Sequence, residues 1–132
     1  MPKTIAAADL DLKSIIKPGD QIVWGQATGE PQTLTEALVA QRQDIGPVSV
    51  FLGAGFSDTL KPEHADRIRF RGFGGIGTHR RLAKAGVLEI VPCHVGQIGR
   101  YIEDGTIACD VAFIQVSPAN SAGEHSFGVV NV

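Results

Sequence analysis

The stretch "VSVFLG", residues 48–53, carries one hydroxyl among otherwise apolar side chains and ends in glycine. A run of strand length that is apolar at nearly every position is apolar on both faces. Such a strand is stable where both faces are covered, as they are inside a parallel sheet. The flanking sequence agrees. Gly46 and Pro47 close a helical pattern, "PQTLTEALVAQRQ", in which Leu34, Ala37, Leu38 and Gln41 share one face and Pro31 suits the first turn. Before it, "QATGE" (26–30) reads as a loop and "QIVWG" (21–25) as a short apolar strand. "DLDLKSII" (9–16) predicts a short helix, stopped by the turn-forming Lys17-Pro18-Gly19-Asp20.

Downstream, "AGFSDTL" is a loop and "KPEHAD" a single helical turn. "RIRFRGF" (67–73) alternates, with Ile68 and Phe70 on one face and arginines on the other, the pattern of a half-buried or edge strand. "THRRLAKAG" predicts about two turns of helix closed by Gly86. "VLEIVP" (87–92) and "DVAFIQV" (110–116) are further strands, and "VGQIGRYIEDG" between them mixes helix and turn signals. "SPANSAGEH" is a polar loop, and "SFGVVNV" begins another strand. Strands alternating with helices predict an α/β fold: a mostly parallel sheet flanked by helices on both faces, as a single domain over residues 1–132. The apolar "FGVVNV" stops without a closing turn residue and reads as a cut inside an element, the mark of a piece of something longer.

The totals narrow the function classes. Fourteen acidic against 12 basic residues leave a net charge of −2, which gives no electrostatic reason to expect nucleic acid or an anionic membrane as partner. The N-terminal twenty residues hold no long apolar run, so they are neither a signal peptide nor a membrane span, and the chain reads as cytoplasmic. Cys93 and Cys109 form no C-x-x-C pair and read as two buried thiols in a reducing compartment. No metal-ligand cluster is visible, and the adjacent Cys93 and His94 are poorly placed to chelate one ion. Sixteen glycines point to many tight turns or backbone-lined sites.

Gly72, Gly74 and Gly77 spell G-x-G-x-x-G between a strand and a helix. A dinucleotide-binding loop of that form follows the first strand and has an acid at the end of the next. Here two strand–helix pairs precede it, and Glu89 is mid-strand. A tight strand-to-helix turn is the favoured reading. A weaker one has the amides near His79, Arg80 and Arg81 receiving a phosphate or carboxylate, although arginines on an exposed helix are usually a solvated face. Ligands in open α/β sheets gather at the carboxyl ends of strands. By that rule the loops Gly25–Glu30, Gly53–Ser57 and Ser117–His125 converge on one edge, and His94 at a strand end is open to a site role. Ser57, Ser117 and Ser126 lack a nucleophile-elbow context. Glu30 is the carboxylate of a strand-end loop, and equally suits a helix N-terminus.

Motifs along nearly the whole chain resemble one family. "PGDQIVWGQATGEPQTLTEALV" resembles the opening of the acetyl-CoA hydrolase/transferase family, which includes 4-hydroxybutyrate and acetate CoA-transferases. "GIGTHRRLAKAGVLEIVPCHVGQIGRYIEDG" looks like its stretch of arginine-bearing helix, A-x-x-x-G and P-x-H strand end. "DVAFIQVSPANSAGEHSFGVVNV" resembles its D-V-A-x-x-x-V-S-P…G-x-x-S-F-G-V signature, the most specific of the three. The resemblance covers the N-terminal domain of such enzymes and implies a CoA-transferase-type α/β fold, usually in a homo-oligomer. It implies acyl-CoA and a small carboxylate as partners, coenzyme A as substrate and no further cofactor. It also implies catalysis through a glutamyl-CoA thioester. The nucleophilic glutamate belongs to a C-terminal domain or partner subunit, so no residue of this chain is expected to be catalytic. The implied pocket walls are Gly25, Thr28, Gly29, Glu30 and Pro31, then Gly53 and Gly55, Pro92 to His94, and Ser117 with Pro118.

Three functions follow. The chain is the N-terminal half of a CoA-transferase or acyl-CoA hydrolase, inactive by itself. Alternatively it is a non-catalytic binding or assembly domain derived from that family. The third, a nucleotide-binding module using Gly72–Gly77, is disfavoured by the missing acid.

Overall fold

The computed structural model describes residues 3–128. Among them, five strands form one sheet in which every pairing is parallel. They are β1 (Gln21–Trp24), β2 (Val48–Leu52), β3 (Ile68–Gly72), β4 (Leu88–Ile90) and β5 (Val111–Phe113). Their order is β4-β3-β2-β1-β5, so the chain runs one way across the sheet and then returns to the far side of β1. Three α-helices, α1 (Gln32–Ile45), α2 (Arg80–Lys84) and α3 (Ile98–Glu103), lie in the connections. The fold is α/β, as the alternation of patterns required.

β2 is central and buried at every position, which explains its two-sided apolar composition. Parallel register places Ile22, Val50, Phe70 and Leu88 in one row across four strands. This row faces α1 and α2 and forms the main core with Leu38, Ile45 and Leu82. Helix α1 stops where Gly46 takes φ 95°, a left-handed conformation that glycine adopts without a Cβ clash. Gln41, on its core-facing side, accepts from the Leu12 amide (2.9 Å) and donates to the Leu10 carbonyl (2.8 Å). It thereby ties the N-terminal segment to the helix.

The opposite face is different. Val23, Phe51, Arg71 and Glu89 form the neighbouring row. Helix α3 lies over its apolar end, against Val23 and Phe51. At the other end Glu89 forms ion pairs with Arg69 and Arg71, which screen the sheet surface there.

Several local expectations differ from the structure. Residues 9–16 form no α-helix; two 3-10 turns, Ala7–Asp9 and Leu12–Ser14, replace it. Asp11 accepts from the Lys13 amide, a local bond that competes with helix continuation. β3 is half-buried but interior, because β4 pairs along it. Helix α2 has five residues, and β5 ends at Phe113 rather than at Val116. No strand is found over 126–128, and residues 129–132 of that expected strand lie outside the described ones. Neither thiol is buried: Cys93 is half-buried, beyond a β4 that ends at Ile90, and Cys109 is exposed in the connection that precedes β5.

Candidate functional site at the carboxyl end of the sheet

In an all-parallel sheet the loops after every strand emerge on the same side. The loops after β1, β2 and β3 are stitched together there. The Ala27 amide donates to the Ala54 carbonyl (2.8 Å), and the Ala54 amide donates to Gln26 Oε1 (3.2 Å). Gly55 and Gly77 form an isolated parallel bridge, with the Thr78 amide donating to the Gly55 carbonyl (2.8 Å). A Cβ on Gly77 would lie 2.0 Å from that carbonyl oxygen, and Gly77 has φ +65°, so only glycine fits. The glycine-rich stretch is therefore a packing device. Its backbone is engaged with the β2 loop, and the helix behind it is five residues long.

Glu30 ends the β1 loop almost fully buried. Its Oε1 accepts from the hydroxyls of Thr35 and Ser57, each at 2.8 Å. Thr35 is one turn into α1, whereas Ser57 belongs to the β2 loop, so this carboxylate joins two loops. His79 precedes α2 and is 4% exposed. Its Nδ1 lies 3.0 Å from the Gly53 carbonyl oxygen. A carbonyl only accepts, so Nδ1 carries the proton in the neutral ring and Nε2 is left as an acceptor. Burial pushes the imidazole below its ordinary value, opposed by the Gly53 bond and by the charge of Glu30. Arg81, expected on a solvated helix face, instead donates from Nε to the Leu60 carbonyl (2.9 Å) and pairs with Asp58, anchoring the same loop. The segment reaches Leu60 without regular structure, so these bonds substitute for a ladder.

Beside the stitched loops a cavity of about 150 Å³ opens beneath α3. Val23, Phe51, Phe73, Ile98 and Ile102 line it, with Gln26 and Gly53 at the strand ends.

The proposed wall residues are spread unevenly. Gly25, Gly29, Glu30, Pro31 and Gly55 are buried; Gly53 is half-buried; Thr28 is exposed. All of these belong to the two adjoining loops after β1 and β2. His94 follows β4, the far edge strand, and is exposed. Its Nδ1 accepts from the Gly96 amide (3.3 Å), capping the 3-10 turn Val95–Gln97 that leads into α3. Ser117 and Pro118 are exposed, four residues or more beyond the end of β5. Among the described residues, the recorded hydrogen bonds of loop 117–128 run within it: the Ser117 amide donates to the Ser126 carbonyl, and the Ser126 amide to Ser117 Oγ. The loops after β1 and β2 thus meet, and the Ser117–His125 loop folds on itself. The sequence reading gave too little weight to Gln26, Ser57 and His79. Gln26 and Ser57 lie two and five residues beyond β1 and β2, in the loops to which the strand-end rule points; His79 was masked by its position in a glycine-rich turn.

Residues 3–131 match the model of the acetyl-CoA hydrolase/transferase N-terminal domain. A 4-hydroxybutyrate coenzyme A transferase from Clostridium kluyveri is 30% identical over 120 residues, which are 89% of this chain and 28% of that protein. The crystal structure of RipA from Yersinia pestis superposes with a TM-score of 0.75 at 28% identity, over 88% of this chain and 30% of that one. A 4-hydroxybutyrate CoA-transferase from Porphyromonas gingivalis shares the fold, with a TM-score of 0.59 at 24% identity over 86% of this chain and 25% of that one. The chain spans less than a third of the length of each of these relatives.

Proposed function

Because the chain belongs to the acetyl-CoA hydrolase/transferase family, as its N-terminal domain, we propose that it shapes the substrate site of an acyl-CoA:carboxylate CoA-transferase or acyl-CoA hydrolase. The reaction runs through a glutamate supplied by a C-terminal domain or partner subunit. That carboxylate attacks the thioester carbonyl and expels CoA thiolate, leaving a mixed anhydride. The thiolate then attacks the glutamyl carbonyl, releasing the acyl group as a free carboxylate and leaving a glutamyl-CoA thioester. An acceptor carboxylate, or water in a hydrolase, resolves that thioester. This chain contributes walls: Gly25 to Pro31, Gly53, Gly55, His94, Ser117 and Pro118. Backbone amides of the glycine-bearing loops steady a carboxylate or oxyanion there.

The family match over residues 3–131 carries this reading. The stitched loops at the carboxyl end of the sheet support it, since that is where ligands of parallel α/β sheets bind. The test is an assay of CoA transfer and thioester hydrolysis across short-chain acyl donors. The chain alone is expected to transfer no CoA. The same chain joined to a glutamate-bearing C-terminal domain, in one polypeptide or as two subunits, is expected to turn over. Transfer by the isolated chain would overturn the assignment of the nucleophile. Silence of the joined protein with every donor would favour a binding or assembly role.

A further inference from the structure

We propose that the cavity beneath α3 receives the tail of the acyl group, and that Phe73 and Gly99 set the length of tail it admits. This rests on the CoA-transferase reading of the site. Three observations carry it.

The first is position. The cavity opens beside Gln26 and Gly53, at the carboxyl ends of β1 and β2 and next to the stitched loops. The second is chemistry. Val23, Phe51, Phe73 and Ile102 present hydrocarbon, and no residue of the lining carries a formal charge. A charged tail would lose its hydration there with no opposite charge to meet it. Polar side-chain atoms of the lining belong to Trp24, which is buried and stacked on Phe113, and to Gln26. Its Oε1 is held by the Ala54 amide, which turns the Nε2 donors elsewhere; among the described residues no acceptor is recorded for them. One amide donor beside an apolar hollow suits a thioester, which has one carbonyl oxygen and a hydrocarbon tail. The third is size. An apolar hollow near 150 Å³ offers room for about six carbons. It therefore covers the whole tail of an uncharged short acyl group and leaves the end of a longer chain outside.

Gly99 lies on α3 at the lining, and a Cβ built there meets nothing within 4 Å. Gly99 is solvent-exposed at the rim of the hollow, so the helix accepts a larger residue there, which narrows the opening. Phe73 is a half-buried wall at the end of β3, and truncating it enlarges the hollow.

The experiment uses the chain together with its glutamate-bearing domain. kcat/KM is measured for acetyl-, butyryl-, hexanoyl-, decanoyl- and succinyl-CoA, with acetate as acceptor, and binding of CoA and butyryl-CoA is measured by titration calorimetry. Each buried methylene is worth about fourfold, so butyryl-CoA is expected to exceed acetyl-CoA by about tenfold or more. Succinyl-CoA is expected to fall well below butyryl-CoA. Gly99→Leu is expected to erase most of the butyryl-to-acetyl ratio, and Phe73→Ala to shift the preference from hexanoyl-CoA toward decanoyl-CoA. Turnover with ratios unmoved by both variants would overturn the cavity assignment and leave the transferase reading intact. Absence of turnover, with butyryl-CoA still binding more tightly than CoA and Gly99→Leu removing that difference, would keep the cavity and remove the transferase reading. No turnover and no difference in binding would overturn both.

Discussion

The imidazole of His79 lies flat against Gly55: a Cβ on that glycine would sit 2.4 Å from Nε2 and 2.5 Å from Cδ2. The ring is held from its other nitrogen by the Gly53 carbonyl, so it cannot swing aside without losing that bond. Gly55→Ala is therefore an overpacking change at a buried ring. It should cost about 1–3 kcal/mol in urea denaturation. The double variant Gly55→Ala with His79→Ala should cost less than the two single changes added, because the clash disappears with the ring. Strict additivity would mean that the two residues do not share one strain.

Glu30 makes a second prediction. Thr35 and Ser57 both donate to the same oxygen, Oε1. Glu30→Ala leaves Ser57 without its partner and should cost about 1–3 kcal/mol. Glu30→Gln keeps an acceptor oxygen at that point, so the loss should be clearly smaller. Equal losses, read from denaturant midpoints, would assign the effect to the charge rather than to the shared oxygen.

The glycine-rich turn separates its own members. Gly77 is required twice over, by φ +65° and by the Gly55 carbonyl at 2.0 Å from a Cβ. At Gly74 the nearest atoms to a Cβ are the Ile76 side chain at 3.5 Å, an ordinary contact. Gly77→Ala should destabilise by more than about 2 kcal/mol, while Gly74→Ala should stay near the wild-type value, within about 1 kcal/mol. A dinucleotide loop would need both for its ligand, so NAD titration should show no binding to either variant or to the wild type.

Acid should weaken the fold before the carboxylates titrate. His64 and His79 are both held below the ordinary histidine value, chiefly by burial. At His64 the charges of Arg42 and Lys61 add to this, against Glu63 and Asp66. His64 Nδ1 also accepts from the Lys61 amide (3.1 Å), a role that protonation abolishes. Below pH 6.5 the unfolded chain takes up these protons first, so it binds more protons than the folded one and stability falls as pH falls. The loss should begin at about 6.5 and continue down to the folded-state values. Asp66 and Glu89, lowered mainly by their arginine partners, then add a further loss near and below about pH 4. Denaturation midpoints between pH 7.5 and 5 check this. A His64→Asn, His79→Gln double variant should flatten that upper part of the profile, and an unchanged slope would exclude both histidines.

Much of the fold was legible because burial writes itself into composition. "VSVFLG" had to be an interior parallel strand, and the alternation in "RIRFRG" reported one covered and one open face. The parts that misled were ruled by contacts distant in sequence. "DVAFIQV" carries apolar residues out to Val116, yet pairing with β1 ends at Phe113, so Ile114 and Val116 remain exposed. The same holds at the site. Gly25 to Pro31 and Gly53 to Gly55 stand out as strand-end loops, whereas the joining of Glu30 to Ser57 spans 27 positions and leaves no local signature. Arg81 looked like a surface cation because its partners, Leu60 and Asp58, lie beyond the range of a helical repeat.

The strand order has a consequence for how the chain acquires its shape. β1 is the second strand from one edge, and the neighbour on that side is β5. Asp110 binds Gln21 in both directions, its carboxylate taking the Gln21 amide (2.8 Å) and its own amide reaching the Gln21 carbonyl (2.8 Å), across 89 positions. During synthesis β1 therefore keeps an open hydrogen-bonding edge until β5 has emerged. Closing that loop is among the costliest steps in chain entropy, which places this domain with slow, high-contact-order folders. Nascent chains halted before residue 110 should expose that edge to strand-capturing partners and chaperones, and should become protease-resistant only once β5 is free to dock.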